Sequence, residues 1–219
     1  MALRHPLPFA RLRFAISLAL VCLCLTSILS CRTSTLLSEN FDELPVAMAT
    51  TSAGAFHTVN GTNVDLVGGS VFGSLCQPPA SGNCIDLDGT GGKAQGVLQS
   101  VNSFMLAPGM RYYLSFNLIG SQRGNTTSTT VTFGPYHRTF VLASNDHSSG
   151  IVREAPVAVN VRTPAFLTFT SNTPGEMGAI LDNVSITSSP SPAWWSLLVI
   201  LLIAVLIIGQ RLRRQRANA

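Results

Sequence analysis

Residue types that could carry catalysis are sparse in this chain of 219 residues. Beyond the N-terminal segment the histidines are His57, His137 and His147, and no two have the spacing of a metal pair on a helix. No Gly-x-Ser-x-Gly motif marks a nucleophilic serine. The glycine-rich residues 89–92 and 120–124 open no predicted helix, as a phosphate-binding loop would. The sequence therefore predicts a protein that is not an enzyme.

Paired aspartates form the clearest acidic motif. Asp86 and Asp88 alternate with Ile85 and Leu87 ahead of Gly89, so both carboxylates project from one face of a strand. Such a pair beside a turn could hold Ca²⁺, which takes oxygen ligands. A solvent-exposed strand face ending in an Asp-Gly turn explains the same residues, and turn chemistry favours this second interpretation.

Aromatic side chains on loops or exposed strand faces would indicate a carbohydrate ligand, because sugar rings stack on them. The candidates are Tyr113, on the polar face of its strand, and Tyr136 with His137, which follow Gly-Pro in a turn. Scattered surface aromatics explain the same residues. The sequence favours that alternative, since tryptophan occurs only at Trp194 and Trp195, beyond the predicted domain.

The elements that must position these residues are predicted to be β-strands. The central part of the chain is rich in Gly, Ser, Thr, Val and Phe and shows short alternating runs between turn residues. The predicted strands cover residues 63–67, 84–87, 95–101, 111–119, 129–133, 139–143, 155–161, 165–170 and 179–187. Clean alternation of apolar and polar residues within them predicts an all-β, antiparallel sandwich over residues 35–187.

Both ends of the chain look like membrane-directed segments. Arginines followed by the apolar residues 14–29 are typical of a signal peptide, predicted over residues 1–34, although a retained helix is the alternative. Residues 28–31 resemble a lipobox, which would make Cys31 a lipidation site. The uncharged residues 193–209 would form a helix of about 25 Å, close to bilayer thickness, so a transmembrane helix is predicted there.

The positions of the arginines indicate which side of the membrane each segment occupies. The cluster at residues 211–216 marks residues 210–219 as a cytoplasmic tail, and the Ser/Pro-rich residues 188–192 would be a stalk. The whole chain carries a net charge of +4, but residues 35–189 hold six basic against ten acidic residues, hence −4. A mildly acidic domain excludes nucleic acid as the expected partner.

Cysteine spacing predicts a disulfide between Cys76 and Cys84, eight residues apart in an oxidising compartment. Closing so short a loop should stabilise the fold by roughly 2–3 kcal/mol. A metal pair is the alternative, but no His or further Cys lies near them in sequence.

Four segments together resemble a known family. They are Val-Asp-Leu-Val-Gly-Gly at 64–69, Ser-Gly-Asn-Cys-Ile-Asp-Leu-Asp-Gly at 81–89, Ala-Pro-Gly-Met-Arg-Tyr-Tyr-Leu-Ser-Phe at 107–116 and Gly-Ala-Ile-Leu-Asp-Asn-Val-Ser-Ile at 178–186. This pattern resembles bacterial extracellular domains of the choice-of-anchor C type, which are galactose-binding-like jelly rolls. The resemblance implies a jelly-roll fold over residues 38–187.

The resemblance also implies a structural calcium ion that joins the first and last strands, with Glu39, Asp42 and Asp182 as ligands. Carboxylates that accept backbone N–H bonds in loops are the alternative. The tail resembles a PEP-CTERM sorting signal, which implies an exosortase-type processing enzyme as a partner. Ser-Pro-Ser-Pro stands at residues 189–192 where Pro-Glu-Pro is expected, so a permanent anchor is the alternative.

These observations predict a protein of the bacterial cell envelope, held at the membrane or sorted to the cell surface. Its extracytoplasmic jelly-roll domain is expected to bind exopolysaccharide or another carbohydrate. A membrane-tethered enzyme or enzyme-accessory module is the first alternative. A structural surface spacer is the second.

Overall fold

The computed structural model describes residues 33–92, 95–147, 151–153 and 156–217. The predicted signal peptide, the lipobox and Cys31 lie outside these residues, apart from Thr33 and Ser34. Within the described residues the chain is mostly β-strand.

Strands follow one another along the described part of the chain. In order they are β1 (Ser34–Glu39), β2 (Ala47–Thr50), β3 (Ser52–Ala53), β4 (Phe56–Thr58), β5 (Val64–Val67), β6 (Cys84–Asp86), β7 (Val97–Ser100), β8 (Phe104–Leu106), β9 (Met110–Ile119), β10 (Thr127–Phe133), β11 (Tyr136–Leu142), β12 (Ile151–Arg153), β13 (Thr163–Ala165), β14 (Leu167–Ser171) and β15 (Ile180–Pro190). A 3₁₀ turn covers Gly73–Leu75, and helix α1 covers Pro192–Ala217.

Two antiparallel sheets account for most of these strands. The seven-stranded sheet has the order β12-β9-β15-β6-β5-β2, with β1 also paired to β15, and the six-stranded sheet has the order β11-β10-β14-β7-β4-β3. Strands β8 and β13 form a separate pair. The antiparallel β-sandwich predicted from the alternation is therefore confirmed, and the arrangement is consistent with a jelly roll.

Phenylalanines join the two sheets in the core. The Phe116 ring of β9 lies 5.2 Å from that of Phe169 on β14 and 5.8 Å from that of Phe140 on β11, both edge to face. Phe56 extends the chain of rings to Phe41. These rings are buried, and edge-to-face pairs add to the stabilisation from the buried apolar area.

One predicted strand is wrong. Residues 156–161 make a single bridge, between Val157 and Tyr112 of β9, and Val161 is 69% exposed. Alternating valines produce a strand only where an unpaired strand edge runs alongside them. Here β9 begins at Met110, close to the Tyr112 that Val157 contacts, so little of that edge lies beside residues 158–161.

The connection between β5 and β6 crosses the outer face of the seven-stranded sheet, and we call residues 68–83 the strap. Its Leu75, Cys76 and Ala80 pack on a second small core beneath it. The predicted disulfide between Cys76 and Cys84 is present and ties the strap to β6. The strap therefore covers apolar side chains that would otherwise face solvent.

The structure also differs from the sequence prediction near the C-terminus. Ser188 and Ser189, predicted to lie in the stalk, belong to β15 and pair with Tyr112 and Arg111. The apolar residues 193–209 fall within α1. Among the residues that the structure describes, no helix combines the length and apolar character needed to cross a membrane.

Candidate functional site

A groove of about 500 Å³ opens on the outer face of the seven-stranded sheet, beside the strap. Its floor comes from β5 and β6, where Asp65 and Val67 alternate with the core residue Leu66, and Asp86 alternates with Ile85. Because neighbouring residues of a strand face opposite sides of a sheet, the strands that fill the core also supply the polar floor.

Asp65 fixes the floor to two neighbouring segments. Its carboxylate accepts hydrogen bonds from the Ala49 N–H (2.6 Å), the Thr90 N–H (3.0 Å) and the Thr90 hydroxyl (2.7 Å). The side chain is buried, and such charge-assisted bonds compensate a buried carboxylate. Strand β2 and the turn after β6 are thereby held at the groove.

Asp86 lies directly opposite Asp65 in the antiparallel ladder and is 1% exposed. Its Oδ2 forms an ion pair with Arg123 Nη2 at 2.6 Å, and its Oδ1 accepts the Gly178 N–H at 2.9 Å. Burial raises the pKa of Asp86 to about 7, although the Arg123 charge opposes this rise. The solvent-exposed strand face favoured from the sequence is therefore wrong.

Asp88, the other half of the predicted pair, does not line the groove. It is buried and accepts hydrogen bonds from the Gly96 N–H (3.0 Å) and the Ser171 hydroxyl (2.7 Å). Burial raises the pKa of Asp88. This aspartate joins the turn after β6 to β14 of the other sheet.

Glu176 and Met177 line the groove, and we call the segment Glu176–Gly178 the wall. Arg123 Nη1 donates to the Glu176 carbonyl at 3.3 Å, and Arg123 Nη2 donates to the Gly178 carbonyl at 3.4 Å. The exposed Glu176 carboxylate accepts the Gly91 N–H at 2.6 Å. Arg123 thus links the wall to Asp86 on the floor.

Phe72 of the strap also lines the groove and is 59% exposed. Its backbone has φ of 53°, a left-handed conformation that is unfavourable for a bulky residue. Backbone strain of this kind clusters at functional sites. Met48 and Met177, each roughly two-fifths exposed, also line the groove. Apolar surface and hydrogen-bonding groups therefore share one concave site.

The residues predicted as calcium ligands are occupied by hydrogen bonds. Glu39 Oε1 accepts the Phe41 N–H at 3.0 Å, and its Oε2 accepts the Ala55 N–H at 2.9 Å. Asp42 Oδ1 accepts the Asn83 N–H at 2.9 Å. Both carboxylates act here as caps for loop backbone.

Asp182 accepts the Ser81 N–H at 3.1 Å and the Asn183 N–H at 2.6 Å. Burial raises the pKa of Asp182 to about 6, and the negative charge of Asp42 adds to this rise. A bulge at Asn183, with φ of 50°, turns Val184 into the core, so Asp182 and Val184 do not share one face of β15.

No group of three or more His, Cys, Asp or Glu side chains is arranged to hold a metal ion in the described part of the chain. The hydrogen bonds of Glu39, Asp42 and Asp182 match the alternative drawn from the sequence, in which carboxylates accept backbone N–H groups. Calcium at this position stays a prediction of the resemblance.

The predicted sugar-binding aromatics do not line the groove. Tyr113 lies on β9 of the seven-stranded sheet and is 36% exposed. Tyr136 and His137 lie on β11, the edge strand of the other sheet, and Tyr136 packs partly against the core. The structure therefore does not bring the three into one site.

Sequence reasoning missed the residues that shape the groove. Phe72 is the one aromatic residue between Gly68 and Ser74, and Arg123 stands within the glycine-rich residues 120–124, which open no predicted helix. An aromatic residue in a Gly/Ser-rich loop was the available signal. The partnership of Arg123 with Asp86 was not visible, since the two residues lie far apart along the chain.

No protein-family model matches this chain, and no curated protein sequence is similar to it. Among solved structures, a cyclase from Fischerella sp. TAU has a TM-score of 0.50 at 12% identity, over 73% of this chain and 99% of the cyclase. This likeness shows a shared fold.

Two further solved structures have similar coverage. The K3 adhesin domain of Lys-gingipain from Porphyromonas gingivalis has a TM-score of 0.43 at 14% identity, over 71% of this chain and 99% of that domain. The xylan-binding domain CBM22-1 of Paenibacillus barcinonensis Xyn10C has a TM-score of 0.42 at 12% identity, over 72% and 96% respectively.

Proposed function

We propose that the β-sandwich is a non-catalytic interaction domain that binds a carbohydrate in the groove. The observation that carries this proposal is the exposed Phe72 side chain in a groove that charged groups also line. A sugar ring presents an apolar C–H face and a perimeter of hydroxyls. A site for it needs both an apolar surface and fixed hydrogen-bonding groups.

The groove supplies both kinds of contact. Phe72, Met48 and Met177 offer apolar surface, while Glu176 and Thr90 are exposed polar groups that can reach hydroxyls. Its volume of about 500 Å³ falls within the range of small-molecule sites, roughly 300–1,000 Å³. A short stretch of a polysaccharide is the ligand class that fits this surface.

Replacement of Phe72 by alanine tests the site. We expect the full chain, screened on a glycan array, to bind an oligosaccharide that Phe72→Ala binds about tenfold more weakly, a loss of roughly 1.4 kcal/mol. Tyr113→Ala is the matched control and should bind as the wild type does. Equal affinity of Phe72→Ala and wild type would contradict the groove as the site. Release of reducing sugar by the wild type would instead favour an enzyme.

We further propose that the domain lies outside the cytoplasmic membrane of a bacterium. The disulfide between Cys76 and Cys84 is typical of an oxidising compartment, and the basic and apolar start of the chain is typical of a signal peptide. The large apolar side chains of α1 between Leu198 and Ile208 are mostly exposed, which supports attachment to a membrane. We include in this proposal that an exosortase-type enzyme processes the C-terminal tail.

Fractionation of cells that produce the protein tests this location. We expect the protein in the membrane or surface fraction, with a mass that shows removal of the signal peptide and an intact disulfide. Recovery of the full-length, reduced chain from the cytosol would contradict the location and would leave the groove proposal unaffected.

A further inference from the structure

We infer that Asp86 and Arg123 act as a latch that holds the wall of the groove closed only while Asp86 is ionised. This inference rests on the proposed function, because it describes how ligand binding in the groove is regulated. It assigns positioning roles to two residues that need not touch the ligand.

The wall is held by contacts that converge on this ion pair. Asp86 accepts the Gly178 N–H, and Arg123 donates to the carbonyls of Gly178 and Glu176. Arg123 Nη2 in turn lies 2.6 Å from Asp86 Oδ2. One buried carboxylate therefore positions the wall directly through Gly178 and indirectly through the guanidinium.

Close packing leaves little tolerance at this contact. A Cβ atom on Gly178 would lie 2.6 Å from the Asp88 nitrogen and 2.8 Å from Asp86 Oδ1, nearer than such atoms approach. The wall backbone thus lies directly against the floor of the groove. Movement of this segment would shift Met177 and Glu176, which both line the groove.

The charged groups around Asp86 affect its pKa. Arg123 favours the ionised form, while Asp65 on the neighbouring strand disfavours it. Asp88 on the same chain segment donates its backbone N–H at 3.2 Å, and Glu176 is the remaining charged side chain that lines the groove. From β15 the facing residue is the apolar Ile180.

Burial raises the pKa of Asp86 to about 7, which places the change of charge near neutral pH. Protonation removes the negative partner of Arg123, whose side chain is 25% exposed and can turn to solvent. The bonds from Arg123 to the wall are then lost. Binding should therefore weaken as pH falls through 7.

The size of the effect follows from the ionised fraction. With a pKa of about 7, Asp86 is about 91% ionised at pH 8 and about 9% at pH 6. If the wall is closed only in the ionised form, apparent affinity falls in proportion to that fraction. Affinity should therefore be about tenfold weaker at pH 6 than at pH 8.

A loss of fold stability would not give this result. Because the pKa of Asp86 is raised in the folded chain, protonation of this group favours the folded state at acid pH. At pH 6 the protonated Asp86 adds to the stability of the fold. Weaker binding at that pH would thus show that the wall has opened, and not that the domain has unfolded.

The test measures calorimetric binding of the full chain to neutral hexasaccharides of β-1,4-linked glucose and β-1,4-linked xylose at pH 6 and pH 8. We expect about tenfold weaker binding at pH 6 for the wild type, and weak, pH-independent binding for Asp86→Asn. Asp182→Asn is the matched control, since Asp182 is also buried with a raised pKa but does not line the groove. It should keep the tenfold dependence.

A second measurement needs no ligand. Hydrogen exchange of backbone amides at residues 175–178, corrected for intrinsic rates, should show about tenfold less protection at pH 6 than at pH 8. Arg123→Lys keeps the charge but cannot reach all three acceptors, so it should lower protection at pH 8. Equal protection at both pH values, or pH dependence that persists in Asp86→Asn, would overturn the latch. Protection that depends on pH without any sugar binding would overturn the proposed function and keep the latch.

Discussion

Buried carboxylates dominate the chemistry of this domain at the scale of single residues. Asp65, Asp86, Asp88 and Asp182 are each at most 3% exposed, yet each accepts at least two hydrogen bonds. Partners of this kind offset the cost of burying charge. Each carboxylate fastens a loop or strand end, and Asp86 fastens the part of the groove that carries Glu176 and Met177.

Raised pKa values make stability depend on pH with a definite sign. The pKa of Asp86 is about 7 and that of Asp182 about 6, against an ordinary value of 3.8. The folded chain therefore binds more protons than the unfolded chain between about pH 4 and pH 7. The stability contributed by these groups is full below the ordinary pKa and is lost as pH rises through 6 and 7.

Urea unfolding of wild type and Asp86→Asn at pH 4.5, 6 and 7.5 measures the stability that Asp86 contributes at each pH. We expect the free energy of unfolding of wild type, relative to that of Asp86→Asn, to fall steadily from pH 4.5 to pH 7.5. One pH unit between the folded and unfolded pKa corresponds to about 1.4 kcal/mol. A difference between the two proteins that rises with pH would show that the pKa of Asp86 is lowered by Arg123 instead.

At the scale of elements, the strap determines where the groove lies. It covers a small apolar core on the outer face of the sheet and carries Phe72 to the groove. The disulfide between Cys76 and Cys84 closes its second half. Without that bond, the strap would be held by the packing of residues such as Leu75 and Ala80 and by hydrogen bonds such as that from the Ser81 N–H to Asp182.

Replacement of both cysteines by serine should therefore affect stability and binding together. We expect the free energy of unfolding to fall by roughly 2–3 kcal/mol, as loop closure predicts, and sugar binding to weaken because Phe72 loses its fixed position. Denaturant unfolding and calorimetry measure the two effects. Reductant should reproduce the loss in wild type and leave the double variant unchanged. Undiminished binding by the double variant would show that the strap is ordered without its disulfide.

The strands show which parts of this architecture a single sequence can reveal. Alternation predicted β9 and β10 well, because each has one face in the core and one outside. It missed short edge strands such as β2 and β3, whose few residues give too little periodicity. The disulfide was predicted from spacing, whereas the groove depends on contacts such as Asp86 with Arg123, which arise only from tertiary folding.

At the scale of the whole molecule, the two faces of the seven-stranded sheet have different roles: one forms the core and the other forms the groove. The inner face packs Leu66, Ile85 and Phe116 against the other sheet, while the outer face carries Asp65 and Asp86 in the groove beside the strap. Strand alternation makes both possible at once. A rigid sandwich thus presents a groove whose strap and wall come from loops, the usual place for binding residues on such scaffolds.

Hydrogen exchange of the full chain at pH 8, with and without the oligosaccharide that binds most tightly on the array, tests the groove most directly. The account predicts added protection in the strap at residues 68–75 and in the wall at residues 176–178, with little change at residues 136–142 on the edge of the other sheet. Protection confined to residues 136–142, or absent from both strap and wall, would contradict it.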